Sequence, residues 1–207
     1  MKRQEDLKKD LIDIILALIG LTISLPLLLI LCFVVDLTVG RPPIFTQRRA
    51  GKRGRPFIIY KLKTMYDSRD VNGNLMPDER RVSTFGRILR LIRLDEIPEL
   101  FNIVRGDMSF VGPRPTVLEQ ADKYDDFKKI RLSVRPGLTG WAQINGNTKL
   151  SWDDRIYLDV WYIDHRSLKI DLKIIVETFK VILSGEKVNL KALEEARKYA
   201  INTYRLC

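Results

Sequence analysis

Residues 11–35 read LIDIILALIGLTISLPLLLILCFVV, twenty-five positions with one charge, Asp13, and one proline, Pro26. As a straight helix this run is about 37 Å long at roughly 1.5 Å per residue, enough to cross a bilayer core of about 30 Å. The apolar part is too long for a signal peptide, and the DLTVGRPP that follows it is a poor cleavage site. Basic residues flank both ends: Lys2, Arg3, Lys8 and Lys9 before it, and Arg41, Arg48, Arg49, Lys52, Arg53, Arg55, Lys61 and Lys63 after it, with no acid from Leu37 to Tyr66. Cytoplasmic flanks carry the basic excess, so both ends read as cytoplasmic. Pro26 removes a backbone donor and can bend a helix, with Thr22 and Ser24 near enough to serve freed backbone groups. Two readings stay open: a re-entrant helix that bends at Ser24–Pro26 and returns to the same face, and a kinked helix that crosses.

The rest of the chain offers little raw material for some chemistries. Lys and Arg outnumber Asp and Glu by 36 to 26, a formal charge of +10 that favours acidic partners: phosphorylated substrates, anionic lipid or nucleic acid. Two cysteines, Cys32 and Cys207, make no disulfide framework, and a single histidine, His165, leaves Cys/His zinc sites and Ser-His-Asp triads nearly without ligands. Carboxylates and arginines must carry any reaction. No nucleic-acid motif is present, and prolines and acids interrupt the basic residues.

Downstream, Ile44–Arg48 and Phe57–Lys63 read as two strands joined by the basic turn AGKRGRP. A polar loop follows, then a helix through FGRILRLIR capped by Ser83 or Thr84. Pro98 suits the first turn of a helix that Gly106 ends. GPRP, around Arg114, is stiff and extended. ADKYDDFKKIRLSV reads as a charged helix and RPGLTGWAQINGN as a Gly-rich loop. The stretch 151–183 carries Trp152, Tyr157, Trp161 and Tyr162 at helical spacing, suited either to a membrane interface or to a core. From Glu186 on, a short polar helix is expected.

Immediately ahead of Pro98 stand Asp95 and Glu96. Adjacent acids there can simply complement a helix dipole. Their company points further: Lys61, Lys63, Arg90, Arg93 and Arg114 are placed to converge on them, as a phosphate-handling site requires. Mg²⁺ takes one or two carboxylates plus substrate phosphates, and a carboxylate can attack the phosphorus of a diphosphate so neutralised.

The phrases IFTQRRAG, YKLKTM, LDEIPELFNIVRGDMSFVGPRP and VRPGLTGWAQINGN, in this order behind an apolar segment, resemble the bacterial sugar transferase family, the small monotopic phosphoglycosyl transferases. The resemblance runs from about Lys8 to about Leu183. It implies an α+β, mostly helical fold: a re-entrant membrane helix over 1–36, a catalytic domain over 37–185 with a short β-hairpin and amphipathic interfacial helices, and a polar tail over 186–207. It further implies transfer of a sugar 1-phosphate from a UDP-sugar to polyprenol phosphate, releasing UMP, at the cytoplasmic face of the bacterial inner membrane, with anionic lipid as a contact and nucleic acid not a partner. By the same resemblance Asp95 is the nucleophile, Glu96 a ligand to Mg²⁺, and Arg114, Lys61 and Arg90 hold phosphate. Arg135 and Gln143 are candidates for sugar or nucleotide; Gln143, with Trp141, Asn145 and Asn147, either lines a sugar or uracil pocket or stabilises the Gly-rich loop. The sequence departs from the family at Leu25, where a serine precedes the proline in relatives, and at Asp10, where relatives carry a basic residue. The rival reading is a membrane-anchored basic module that binds without turnover.

Overall fold

The computed structural model describes residues 2–205. It is a mostly helical α+β protein. Helix α1 (Lys2–Thr38) contains the whole apolar run, Pro26 included. Thr22 donates its hydroxyl to the Leu18 carbonyl at 2.9 Å, and Ser24 donates more weakly to Leu21 at 3.4 Å. The helix is long and apolar enough to cross a membrane, yet only 11% of its most apolar window is buried by the protein. One stripe docks on the body: Asp13, Ala17, Leu31 and Val35 are buried, spaced in multiples of a helical turn, while Ile23, Leu29, Ile30 and Phe33 stand exposed.

Strands β1 (Ile44–Ala50) and β2 (Pro56–Leu62) form the expected antiparallel hairpin, with Ile44 opposite Leu62. Alternation along a strand puts Phe57, Ile59 and Lys61 on one face. The first two are core, so the lysine is carried to the interior. Helix α2 (Thr84–Leu91) starts at Ser83, whose hydroxyl accepts from Gly86 N at 2.8 Å. Helix α3 (Glu99–Val104) follows Pro98 and ends before Gly106, which holds φ +78°. Asn102, fully buried, clamps α3 to the edge of β2: its amide donates to Ile58 O at 2.6 Å and accepts from Tyr60 N at 3.2 Å.

Two three-residue strands, β3 (Ser109–Val111) and β4 (Gly137–Thr139), pair in parallel, the second inside what reads from sequence as a Gly-rich loop. Gly137 is needed there, since a Cβ would lie 2.1 Å from Gly112 N. Of the stretch expected as one charged helix, 121–134, only a turn at Asp126–Lys129 and a 3₁₀ turn at Ile130–Leu132 are helical in its interior, and the first begins where Asp125 caps Lys128 N at 2.8 Å.

Helices α4 (Trp152–His165), α5 (Leu168–Ser184) and α6 (Leu190–Tyr204) complete the body. Of the aromatic residues of α4, Tyr162 is core, and Tyr157 and Trp161 pack half-buried against that core. Tyr162 is 2% exposed, and Trp161 stacks between Trp141 and His165 with ring centres at 4.9 and 4.4 Å. The segment expected as a polar tail packs too, because Ala192, Ala196 and Ala200 present a small-residue face that lets α6 lie close against the body. Helix α5 leaves an apolar stripe uncovered: Leu168, Leu172, Val176, Phe179 and Leu183.

Candidate active site

Asp95 and Glu96 occupy a single 3₁₀ turn, Leu94–Glu96, between α2 and α3. The residue that starts it, Arg93, adopts φ +57°, ψ 24°, a left-handed conformation that non-glycine residues rarely hold and that concentrates at functional sites. The turn forms the floor of a cavity of about 740 Å³ whose walls include Arg49, Lys61, Lys63, Arg90, Arg93 and Arg114.

The two acids are treated very differently. Glu96 Oε1 receives Lys61 Nζ at 2.7 Å and Arg114 Nη2 at 2.8 Å, and Oε2 faces Arg93 Nη1 at 3.4 Å. Burial would push its carboxyl up, but Arg114 and Lys61 outweigh that and hold it well below the ordinary range. Asp95 lines the same cavity, and among the described residues no cation pairs with it. Its carboxyl is raised, by burial first and by the charge of Glu96 second, with Lys61 and Arg90 opposing. One acid is thus fixed as a charged anchor, and its neighbour is left open to the cavity.

Behind them lies Glu99, 2% exposed. Lys61 Nζ is 2.8 Å from its Oε1, without the alignment of a hydrogen bond. Burial raises this carboxyl to about 7, with Lys61 opposing and Glu96 adding. Lys61 therefore serves two carboxylates that differ sharply in acidity.

Arg114 is aimed by its own backbone. Arg131 donates to the Arg114 carbonyl at 3.1 Å and to Thr116 Oγ1 and Tyr124 OH at 2.6 and 2.7 Å, while pairing with Asp159 at 2.8 Å deep in the body. Arg90 reaches Thr64 Oγ1 at 2.9 Å on the cavity wall. Of the residues expected from sequence, the structure thus brings Asp95, Glu96, Lys61, Arg90 and Arg114 together. Arg135 and Gln143 lie outside this cavity: Arg135 pairs with Asp10 beside a separate cavity, and Gln143, buried and donating to Leu138 O at 3.0 Å, lines an apolar pocket on the other side of the turn. Asn145 donates to Trp141 O within its own loop, whereas Asn147 lines the same cavity as Asp95 and donates to Glu186.

Sequence reading passed over Arg49, Glu99 and Glu186. Glu186 lies in the segment read as a tail, yet it accepts from Asn147 Nδ2 at 2.5 Å and from Thr148 N at 3.1 Å, and faces Arg93 at 3.7 Å across the cavity rim. Glu99 was legible only as a helix-start acid. No spacing in the sequence marks its approach to Lys61.

Among the described residues no cluster of three or more acids, histidines or cysteines could enclose a metal. Two adjacent carboxylates fit a different arrangement, an Mg²⁺ shared with substrate phosphates, which takes one or two carboxylates and completes its shell from phosphate and water. Glu96 Oε2, with only the longer Arg93 contact, is the anchor oxygen with capacity to spare.

A family model described as Bacterial sugar transferase matches residues 4–185. The chain belongs to the bacterial sugar transferase family. Among similar proteins, an uncharacterised sugar transferase, EpsL, of Bacillus subtilis is 43% identical over 180 residues, covering 87% of this chain and 89% of its own. The UDP-glucose:undecaprenyl-phosphate glucose-1-phosphate transferase of Caulobacter vibrioides is 39% identical, covering 87% of this chain and 72% of its own. The undecaprenyl-phosphate galactose phosphotransferase of Salmonella typhimurium is 34% identical over 88% of this chain, which spans only 42% of that protein's length.

Proposed function

We propose that the protein transfers a sugar 1-phosphate from a UDP-sugar to polyprenol phosphate, through a phosphosugar carried on Asp95, as the opening membrane step of glycan assembly. The observation that carries this reading is the contrast between Asp95, which lines a cation-walled cavity with no ion-pair partner among the described residues, and Glu96, fixed by Lys61 and Arg114. The name of the Caulobacter relative agrees with it in donor and acceptor class, and that of the Salmonella relative in acceptor.

In the first step an Asp95 carboxylate oxygen attacks the sugar-bearing phosphorus, and the bond from that phosphorus to the bridging oxygen breaks. UMP leaves with the electron pair, and an acyl phosphate remains on Asp95. In the second step an oxygen of polyprenol phosphate attacks the same phosphorus, the bond to Asp95 breaks, and the carboxylate is restored. No proton need move in either step. Arg114 and Arg90 offset charge developing on the phosphoryl oxygens. Mg²⁺, when bound by Glu96 together with substrate phosphate, would neutralise part of the diphosphate charge that repels a carboxylate nucleophile.

Both substrates meet at the cytoplasmic face of the inner membrane on this reading. The uncovered apolar faces of α1 and α5 lie in the bilayer, and the basic hairpin turn rests on anionic headgroups at about 1 kcal/mol per surface cation. A bend of α1 at Pro26, which brings the helix back to the face it entered, is supported by its packing. Ala17 and Val35 would lie about 27 Å apart on a straight helix. The clusters they join share β2 through Ile59 and Leu62, three positions and about 10 Å apart.

Incubation of the purified protein with a panel of UDP-sugars, Mg²⁺ and polyprenol phosphate should release UMP. Release of UDP would mean transfer of the sugar without its phosphate, and donor binding without turnover would restore the reading as an anchored binding module.

A further inference from the structure

A second cavity, of about 270 Å³, opens on the other side of the catalytic turn. Arg93 and Glu96 line both cavities, so the turn is the wall the two share. Its remaining walls are almost wholly apolar: Ile97 and Leu100 from the start of α3, Leu138 of β4, and Ile175, Phe179 and Ile182 on one face of α5. The few polar side chains present are turned to the protein's own acceptors. Thr139 bonds Thr178 at 2.7 Å, Thr178 donates to Ile174 O at 2.7 Å, and Gln143 donates to Leu138 O. A polar ligand would find no partner along this groove, whereas hydrocarbon would lose water at no cost in hydrogen bonds. At its inner end stands a cation, Arg93, held in a left-handed conformation between Glu96 and Glu186. At its outer end Phe179, 64% exposed, continues the uncovered stripe of α5. The side wall is shared with the apolar helix, since Leu100 packs against Gly20 of α1.

A groove with a cation at one end, hydrocarbon along its length and a membrane-facing stripe at its mouth matches an amphiphile with an anionic head. We propose that it binds the acceptor: Arg93 holds the lipid phosphate next to Asp95, and the groove holds the adjoining isoprene units. This inference rests on the proposed function and adds to it where the acceptor sits. At roughly 30 Å³ per heavy atom, the share of a water in the liquid, the groove takes about nine carbons, nearly two isoprene units. The rest of the chain stays in lipid.

That capacity sets the test. In detergent solution, phosphates of one-, two- and three-unit isoprenols serve as acceptors. The wild-type acceptor KM should fall about tenfold or more from one unit to two, at about 0.8 kcal/mol per buried methylene, and much less from two to three. Ile182→Trp, which fills the groove, should abolish the first gain, while Arg93→Ala should raise the KM of every acceptor by a similar factor of about ten. A wild-type KM that falls evenly with every added unit, or an Ile182→Trp protein that keeps the first gain, overturns the assignment. Should the variant not fold, a photoreactive group on the first isoprene unit of the acceptor decides with the wild-type protein: labelling of 174–184 supports the groove, and labelling confined to α1 refutes it. UMP formed without acceptor reports donor chemistry alone, so its absence would count against the proposed function, while competition among the isoprenol phosphates for the photolabel would still judge the groove.

Discussion

Replacing Lys61 by methionine removes the cation that Glu96 and Glu99 share at 2.7 and 2.8 Å. Glu96 retains Arg114 at 2.8 Å and Arg93 at 3.4 Å. Glu99 has no other ion-pair partner among the described residues and is 2% exposed, so the loss falls on it. Breaking a buried pair costs about 3–5 kcal/mol when the remaining charge has no escape. Here there is one: with its carboxyl raised to about 7, against an ordinary 4.5, Glu99 takes up a proton near neutrality. The folded state binds that proton more tightly than the unfolded one, so its contribution is complete below the unfolded value and is lost as pH rises through about 7. Without Lys61 the carboxyl rises further. The cost of Lys61→Met should therefore sit near the low end, about 3 kcal/mol at pH 7, and grow by up to about 1.4 kcal/mol for each pH unit above it. For a chain of this length about 3 kcal/mol lowers Tm by about 6–12 °C. Thermal unfolding in detergent at about pH 6 and about pH 8.5 reads the difference. Lys61→Met/Glu99→Gln should recover most of the loss and remove its pH dependence, a non-additivity expected of contacting residues. Equal losses at the two pH values, or additive effects in the double variant, would refute the sharing of Lys61.

Two further expectations concern the same machinery. Burial and the Glu96 charge raise the Asp95 carboxyl, so as pH falls the nucleophile is protonated early, and UMP formation should decline with a midpoint above the ordinary value of about 4; a stopped-flow pH profile flat down to that value would contradict this. Arg131→Met strands Asp159, since both side chains are 3% exposed, and should cost about 3–5 kcal/mol in unfolding measurements; adding Asp159→Asn should return much of it.

Much of the frame was legible because it rests on local signals. The apolar run, the Gly-rich hairpin turn, the Ser83 cap and the Pro98-to-Gly106 helix all use residues whose backbone chemistry is decided within a few positions. The core of the site was legible for a similar reason: Lys61 falls on the inward face of β2 by simple alternation, and Asp95 and Glu96 precede a helix start. The parallel pairing of β3 with β4 was not, as three-residue strands show no periodicity and their partners lie far apart in sequence. The partners of Arg135 and Gln143, Asp10 for one and the Leu138 carbonyl for the other, come from tertiary packing that no spacing in their Gly-rich loop records. Glu186 was invisible for the opposite reason, lying in a stretch whose polar composition hides the alanine face that folds α6 back on the body. The charge difference between Asp95 and Glu96 depends on which cations reach which oxygen, and no spacing in the chain records that.

The central claim is that Asp95 forms a covalent bond to phosphorus. Intact-protein mass spectrometry after acid quench, with UDP-sugar and Mg²⁺ present and acceptor absent, tests it most directly. The account predicts a mass increase of one sugar phosphate that maps to Asp95, is missing in Asp95→Asn and disappears when polyprenol phosphate is added. Full turnover by Asp95→Asn, or a wild-type protein that makes product without ever gaining that mass, would contradict it.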